Sequence, residues 1–275
     1  MGKINEEALA AALAELDSLV GLEEVKSAVR RIADVGRVNA MREEFGLPGA
    51  RIIRHMLFLG NLATGKSTVA RIVGKIYSAL GVLSKGHVVE CDRSQMVGGY
   101  IGASFEKTKQ IIEKARGGIL YIDAASTLFR DMFGEEALNA LHIEMSDNGS
   151  DIVVIFADYK DALLKAVALN PAIDVKVPVH IYFSDLTPDE LYSYFCRIMK
   201  KHDCVATEDA DAAIKEYFVK LCEQTDRRCF GNAREADRLF EDIFSRQVNK
   251  LTKENRLSKE AVRDITRDLI PEFKK

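Results

Sequence analysis

Several absences narrow what this chain does. It has no paired cysteines: Cys91, Cys196, Cys204, Cys222 and Cys229 are odd in number, far apart and never spaced C-x-x-C. Neither a zinc site nor a disulfide framework is indicated, and the thiols read as incidental ones in a reducing compartment. The five histidines, His55, His87, His142, His180 and His202, are equally scattered and suggest no metal or triad. No apolar run approaches the ~20 residues of a membrane-spanning helix. The N-terminal stretch MGKINEEALAAALAELDSL is charged and helical in pattern, unlike a secretory leader, and Glu6 stands where myristoylation requires Ser or Thr. A cytoplasmic protein is expected. Neither sign of charge dominates: 39 Lys and Arg against 42 Asp and Glu leave a net charge of -3, which offers no general attraction to nucleic acid or an anionic membrane. Biased tracts and internal repeats are lacking too.

What is present suits a soluble globular chain, 275 residues long with 47% hydrophobic and 29% charged residues, enough for one large or two modest domains. The most informative stretch is GNLATGKST, Gly60 to Thr68, which fits G-x-x-x-x-G-K-[S/T]. His55-Met-Leu-Phe-Leu59 before it reads as a buried strand, and Val69, Ile72, Val73 and Ile76 after it recur at helical spacing. Strand, loop and helix start are the context in which backbone N–H groups and the positive helix end face phosphates. In that context Lys66 reaches the terminal phosphates and Ser67 offers a hydroxyl to magnesium. The candidate nucleotide-binding residues are Gly60, Asn61, Ala63, Thr64, Gly65, Lys66, Ser67 and Thr68.

Helical spacing covers residues 5 to 16, and a second amphipathic helix spans about 23 to 45, ended by Gly46, Pro48 and Gly49. Further strands are expected around Val88–Cys91, Ile119–Asp123, Asp151–Ala157 and Val177–Phe183, with a helix over Glu135–Met145. Strands alternating with helices imply right-handed crossovers and a parallel sheet covered on both faces. From Thr187 the pattern becomes helical, about 188 to 202, 208 to 224, 232 to 250 and 258 to 270, with no further strand candidate. The predicted architecture is an N-terminal helical segment and linker (1–50), an α/β nucleotide-binding domain with a five-stranded parallel sheet (51–185) and an all-helical domain (186–275). Asp123, acidic at the end of an apolar strand, is the second candidate ligand for a magnesium shell, beside Ser67.

Leu19-Val-Gly-Leu-Glu-Glu-Val-Lys26, the loop GNLATGKST, Leu80 to Glu90, Val97-Gly-Gly-Tyr-Ile-Gly102, Asn170-Pro171 and Phe230-Gly-Asn-Ala-Arg234 together resemble the AAA+ ATPases of the CbbX rubisco-activase and stage V sporulation protein K group, from about residue 16 to the end. The resemblance implies a P-loop domain with a helical lid, ATP or ADP with Mg2+ as cofactors, and a ring whose central pore grips a protein client. It places the base of the nucleotide against Val20 and Gly21, a pore loop at Tyr100, Ile101 and Gly102, and a phosphate-contacting arginine at Arg234.

Catalytic positions depart from the pattern of that family. Its Asp-Glu pair is Asp123-Ala124 here, and losing a general base or water-positioning group typically costs roughly 10² to 10⁴ in rate. Its arginine fingers are replaced by Asp174 and Lys176, a loss of roughly 10³ to 10⁵ in turnover that Lys, lacking a planar fork, does not restore. Asp158 stands where glycine is usual, and a carboxylate near a phosphate site should disfavour nucleotide. Leu62-Ala63 replaces Pro-Gly inside the loop. These features predict an ATP-binding subunit with impaired hydrolysis, regulatory or structural, working with an active AAA+ paralogue or within a tandem AAA+ protein, as part of a ring or as a monomer in isolation. Two alternatives are an active remodeller in which Glu135, Glu136 or another carboxylate replaces the missing base, and a protein-interaction module that has lost nucleotide.

Overall fold

The structure, a computed structural model, describes residues 4–48, 54–147, 150–226, 230–254 and 258–272. Gly49, the expected 50/51 boundary and Cys229 lie outside them. By packing, the chain divides into two compact units, Met1–Gly60 with Gly65–Phe183, and Asn61–Thr64 with Ser184–Lys275.

In the first unit, α1 (Glu6–Asp17) and α2 (Glu23–Glu44) precede β1 (Met56–Gly60), α3 (Lys66–Ala79), β2 (Val88–Cys91), α4 (Arg93–Met96) and α5 (Ala103–Ala115). Then come β3 (Gly118–Ile122), a 3-10 turn at Ala125–Phe129, α6 (Met132–Ser146), β4 (Ile152–Asp158), α7 (Lys160–Ala168), α8 (Pro171–Asp174) and β5 (Val179–Phe183). The sheet order is β2-β3-β4-β1-β5, and every ladder is parallel, with Met56 opposite both Ile155 and Val179. The central strands read as continuous apolar runs because both faces are covered, and β4 is buried along its whole length.

Alternation along each strand divides the core in two. Met56, Phe58, Ile119, Tyr121, Val153 and Ile155 face a layer containing Leu9, Leu16, Val25, Val29 and the apolar side of α3. Leu57, Leu59, Leu120, Ile122, Val154 and Phe156 face the layer of α5, α6 and α7. Residues of α1 and α2 thus join the core of the α/β unit. Asn5 opens α1 by accepting a hydrogen bond from Ala8 N at 3.0 Å.

The second unit contains α9 (Pro188–Lys201), β6 (Val205–Ala206), α10 (Glu208–Gln224), α11 (Ala233–Glu254), α12 (Lys259–Arg263), β7 (Asp264–Ile265) and a 3-10 turn at Arg267–Leu269. A capping box between Thr187 and Glu190 starts α9. Phe195 anchors the core edge-on to Phe218 and Phe240, with ring centroids 5.8 and 6.2 Å apart. The helix expected over 258–270 stops at Arg263, and Asp264–Ile265 pairs in parallel with Val205–Ala206. Strands of two residues have no periodicity to read, so the all-helical expectation for this unit missed them. Gln247 Nε2 secures the same return by donating to Ala261 O and Val262 O at 3.0 Å and to Asp264 O at 3.2 Å.

Gly74 on α3 and Gly86 before β2 let two backbones touch: a Cβ on either would come within 2.4 Å of the carbonyl oxygen of the other. Gly74→Ala is expected to destabilise the protein by about 1–3 kcal/mol, because overpacking against backbone outweighs the gain in helix propensity. Chemical denaturation midpoints of the two proteins measure this, and an unchanged or higher midpoint contradicts the close approach.

Candidate nucleotide site at the carboxyl edge of the sheet

β1 ends at Gly60, where a Cβ would lie 2.4 Å from Phe183 O, so only glycine lets the chain leave the sheet at this point. The loop re-enters helix at Gly65, left-handed with φ 94 at the N-cap of α3, a geometry glycine adopts without strain. The first-turn N–H groups of α3, at Lys66, Ser67 and Thr68, lack intrahelical acceptors and make a cradle for an anion. Lys66 is buried, and its Nζ donates to Gly60 O at 2.8 Å, spanning the loop from inside. Ser67 is half-buried and Thr68 exposed. Val20 and Gly21 lie in the turn before α2, whose next residue, Leu22, has φ 61 and puts its Cδ1 3.4 Å from a Cβ built on Gly65. The expected base-contacting turn and the loop are thus brought together.

The loop interior packs with the second unit. Asn61 Nδ2 donates to both oxygens of Asp185, at 2.8 and 3.1 Å. Fully buried Asn232 donates to Asp185 Oδ1 at 2.9 Å and to Leu62 O at 3.1 Å, and accepts from Leu186 N at 2.8 Å. Thr64 Oγ1 donates to Asn61 O at 2.9 Å, and Ala63 O accepts from Ala233 N at 3.4 Å. Asp185 was not among the residues expected from sequence, and only its position between two asparagines distant in the chain reveals it. Ala63 has φ 53, a left-handed conformation where the resembling family carries glycine. Arg234 sits on the first turn of α11 with its side chain exposed.

At the end of β3, Asp123 is exposed and its N–H donates to Cys91 O at 2.8 Å. Burial, together with Asp92, pushes the Cys91 thiol up to about 12, so it stays neutral. Ala124 is exposed and left-handed, with φ 47 and ψ 41; its carbonyl accepts from Thr127 N at 3.0 Å and Thr127 Oγ1 at 2.7 Å. The turn is complete without any side chain at 124. Asp158 is buried and committed to backbone donors: Ser126 N at 2.9 Å on Oδ2 and Tyr159 N at 2.7 Å on Oδ1. It fastens the turn after Asp123 to the end of β4, a role invisible in the sequence. Burial and the carboxylates of Asp123, Glu90 and Asp158 push the Tyr121 hydroxyl pKa upward, against the lowering effect of Arg71.

Tyr100 and Ile101 are exposed at the tip of a loop closed by Gly102, which has φ 87. Gly102 N donates to both carboxylate oxygens of Glu136, at 2.9 and 3.0 Å. Glu136 is therefore taken up by this loop, which counts against it as a substitute catalytic base; Glu135 is exposed on α6. Asn170 caps α8 by accepting from Ile173 N at 3.3 Å. Asp174, at the end of that helix, is exposed, and Lys176 is half-exposed.

A parallel sheet covered on both faces, with a loop of this type and a second, largely helical unit, is the architecture of a P-loop ATPase. Residues 56–180 match the ATPase family associated with various cellular activities (AAA), and residues 187–274 match the AAA lid domain. Stage V sporulation protein K of Bacillus subtilis (strain 168) is 35% identical over 240 residues, 86% of this chain and 74% of that protein. The chloroplastic ribulose bisphosphate carboxylase/oxygenase activase of Cyanidioschyzon merolae (strain NIES-3377 / 10D) is 35% identical over 244 residues, 87% of this chain and 82% of that one. Protein CbbX of Cereibacter sphaeroides is 34% identical over 244 residues, covering 87% and 78%. The crystal structure of the FIGL-1 AAA domain shares the fold, with a TM-score of 0.64 over 92% of this chain and 80% of that one at 14% identity. The chain belongs to the AAA ATPase family, alongside these sporulation and rubisco-activase relatives.

Ala63→Gly should raise stability by about 0.5–1 kcal/mol, the left-handed strain relieved less the added freedom of the unfolded chain; a lower denaturation midpoint would contradict the strain. Glu136→Ala should speed amide hydrogen exchange over residues 98–104 by about tenfold, the loss of one charge-assisted hydrogen bond, whereas Glu136→Gln retains an acceptor and should exchange more slowly than the alanine variant. Equal exchange in all three proteins would show that Glu136 does not hold the loop.

Proposed function

We propose that this chain is a cytoplasmic AAA subunit that binds ATP or ADP with magnesium, hydrolyses ATP poorly, and serves as a regulatory or structural member of a protein-remodelling assembly. One observation carries the proposal: the turn after Asp123 retains its left-handed backbone and hydrogen bonds while residue 124 offers only a methyl group. The P-loop has the glycines, helix-start N–H groups and buried lysine that suit a polyphosphate. In this reading Gly60, Asn61, Ala63, Thr64, Gly65, Lys66, Ser67 and Thr68 hold the phosphates, Ser67 and Asp123 face the magnesium shell, Val20 and Gly21 flank the base, and Arg234 is the lid arginine.

Bound magnesium would neutralise phosphate charge and draw electrons from the bond to be broken. The chain's own contribution to the attacking water is deficient, since an alanine methyl neither accepts a proton nor orients a hydroxyl. Asp174 and Lys176 give a neighbour no guanidinium fork. Tyr100 and Ile101, exposed on a loop held by Glu136, support engagement of an extended protein client, because an aromatic ring contacts many sequences through its apolar faces. The partners proposed are an active AAA paralogue or a tandem AAA module, and a protein client. Among the described residues no helix is long and apolar enough to cross a membrane.

Nucleotide affinity and steady-state turnover measured on the same sample test this. Binding abolished by Lys66→Ala, with turnover close to background, is expected. Ala124→Glu should raise turnover by roughly 10² to 10⁴ only when a partner supplies the arginine. Substantial hydrolysis by the isolated chain would overturn the proposal in favour of an active remodeller, and the lack of a thermal shift with either nucleotide would favour a module that has lost nucleotide.

A further inference from the structure

One side of α2 is buried along its length, at Val25, Val29, Ala33 and Gly36. Gly36 lies so close to the end of α3 that a Cβ there would come within 2.6 Å of Leu80 Cδ1. The opposite side is apolar too. Val35, Val38, Met41 and Phe45 follow at intervals of three, three and four residues, which places them in one sector of roughly 120° facing away from the core. Phe45 is 74% exposed, Val38 and Met41 each 55% and Val35 46%. Single exposed apolar residues are ordinary, but four on consecutive turns of one helix make a continuous stripe.

The end of the stripe is pinned. Gly46, with φ 69, donates from its N–H to Glu43 O at 3.0 Å, and Leu47 N donates to Arg42 O at 2.8 Å, the two bonds of a Schellman turn. Arg42 Nε donates to Pro48 O at 2.9 Å. Leu47, exposed as well, is thereby held beside the last turn of the helix.

Charges border the stripe in a definite order. Several acids and bases of α2 are engaged within the chain: Lys26 pairs with Glu23 at 2.8 Å, Arg37 with Glu6 at 3.0 Å, and Arg30 with Asp17. Arg31 and Asp34 are exposed in the sector of the stripe and, among the described residues, make no hydrogen bond or ion pair. Counted from Val38, Asp34 stands four residues before and Arg42 four after, Arg31 seven before and Phe45 seven after, and Val35 and Met41 three to either side. The stripe is therefore complementary to itself when turned end for end.

We propose that two copies of this chain pair through α2, the helices antiparallel about a twofold axis at Val38. Val38 of each copy meets Val38 of the other, Asp34 pairs with Arg42, Arg31 lies over the Phe45 ring, and Val35 and Met41 cover the margins. From Arg31 to Phe45 the seam runs roughly 21 Å along the helix. The contact is isologous, so one patch on each copy satisfies the other and the assembly closes at two. A second copy fits better than a foreign helix, because only self-pairing calls for opposite charges at equal distances on either side of one residue. No residue assigned to nucleotide takes part, and the pair is independent of the ATP-binding proposal.

Sedimentation velocity of the full chain without nucleotide, over a range of concentrations, should show the mass rising to two copies. Val38→Glu, at an exposed position, should abolish the rise and leave thermal unfolding unchanged. Asp34→Arg and Arg42→Asp should each weaken pairing by about a hundredfold, since like charges then face each other at both ends of the seam. Their equimolar mixture, and the protein carrying both substitutions, should regain it. A short bismaleimide reads the register: Val38→Cys should join to its own copy through residue 38. Ser27→Cys, in the same sector but roughly 33 Å from its counterpart in the pair, should not. A monomer at every concentration, growth beyond two copies, association indifferent to Val38→Glu, no recovery in the mixture, no cross-link at residue 38, or association only with a second protein would each overturn the proposal.

Discussion

Parallel strands covered on both faces free their last backbone polar groups only at the edge where the strands end, and the candidate nucleotide site lies at that edge. β1, β3 and β4 are each buried end to end. Main-chain donors, strand-ending acids and turns all emerge together at Gly60, Asp123 and Asp158. The Gly60 contact with Phe183 and the left-handed Gly65 make the loop possible, and buried Lys66 then bridges it from within. Both core layers serve to hold this edge in register.

The edge is fully built at the positions where the sequence suggests a departure from the family pattern. Ala124 sits in a turn closed by Thr127 and braced by Asp158, so the position after Asp123 is held firmly although its side chain ends at Cβ. Asp158 looked from sequence like a charge opposed to phosphate. Its two backbone partners make it a structural brace, with part of its charge offset by N–H dipoles. Glu136 is similar: a carboxylate that sequence offered as a replacement base is used to clasp Gly102.

Strands and the P-loop were legible because short apolar runs bounded by turn residues leave little choice, and β2 spans the expected residues. α5 was not among the expected helices: Gly98, Gly99 and Gly102 dominate its approach, and the buried Ile111, Ile112 and Ala115 leave only a short helical spacing to mark it. The β6–β7 pair left no trace, two residues being too short for a pattern. Within the site, every residue named from the motifs belongs to contiguous sequence. Asp185 was not named, and what Asn232 and Glu136 hold, the loop interior and Gly102, was not foreseen; all three act across long separations in the chain. Their types are common on any surface, and only the fold selects their partners.

Lys66 shows what a preassembled loop implies for any anion that enters it. Its ammonium is buried and already donates to a main-chain oxygen, so an arriving anion competes for hydrogens that are in use. Binding is then an exchange of one acceptor for another, and its net strength is a difference between two similar bonds. A lysine has three such hydrogens, so the exchange can be partial, one bond to Gly60 kept while another hydrogen turns to the anion. The loop can thus hold the same shape whether or not the anion is there, and selectivity resides in how well the newcomer matches an acceptor the protein carries itself.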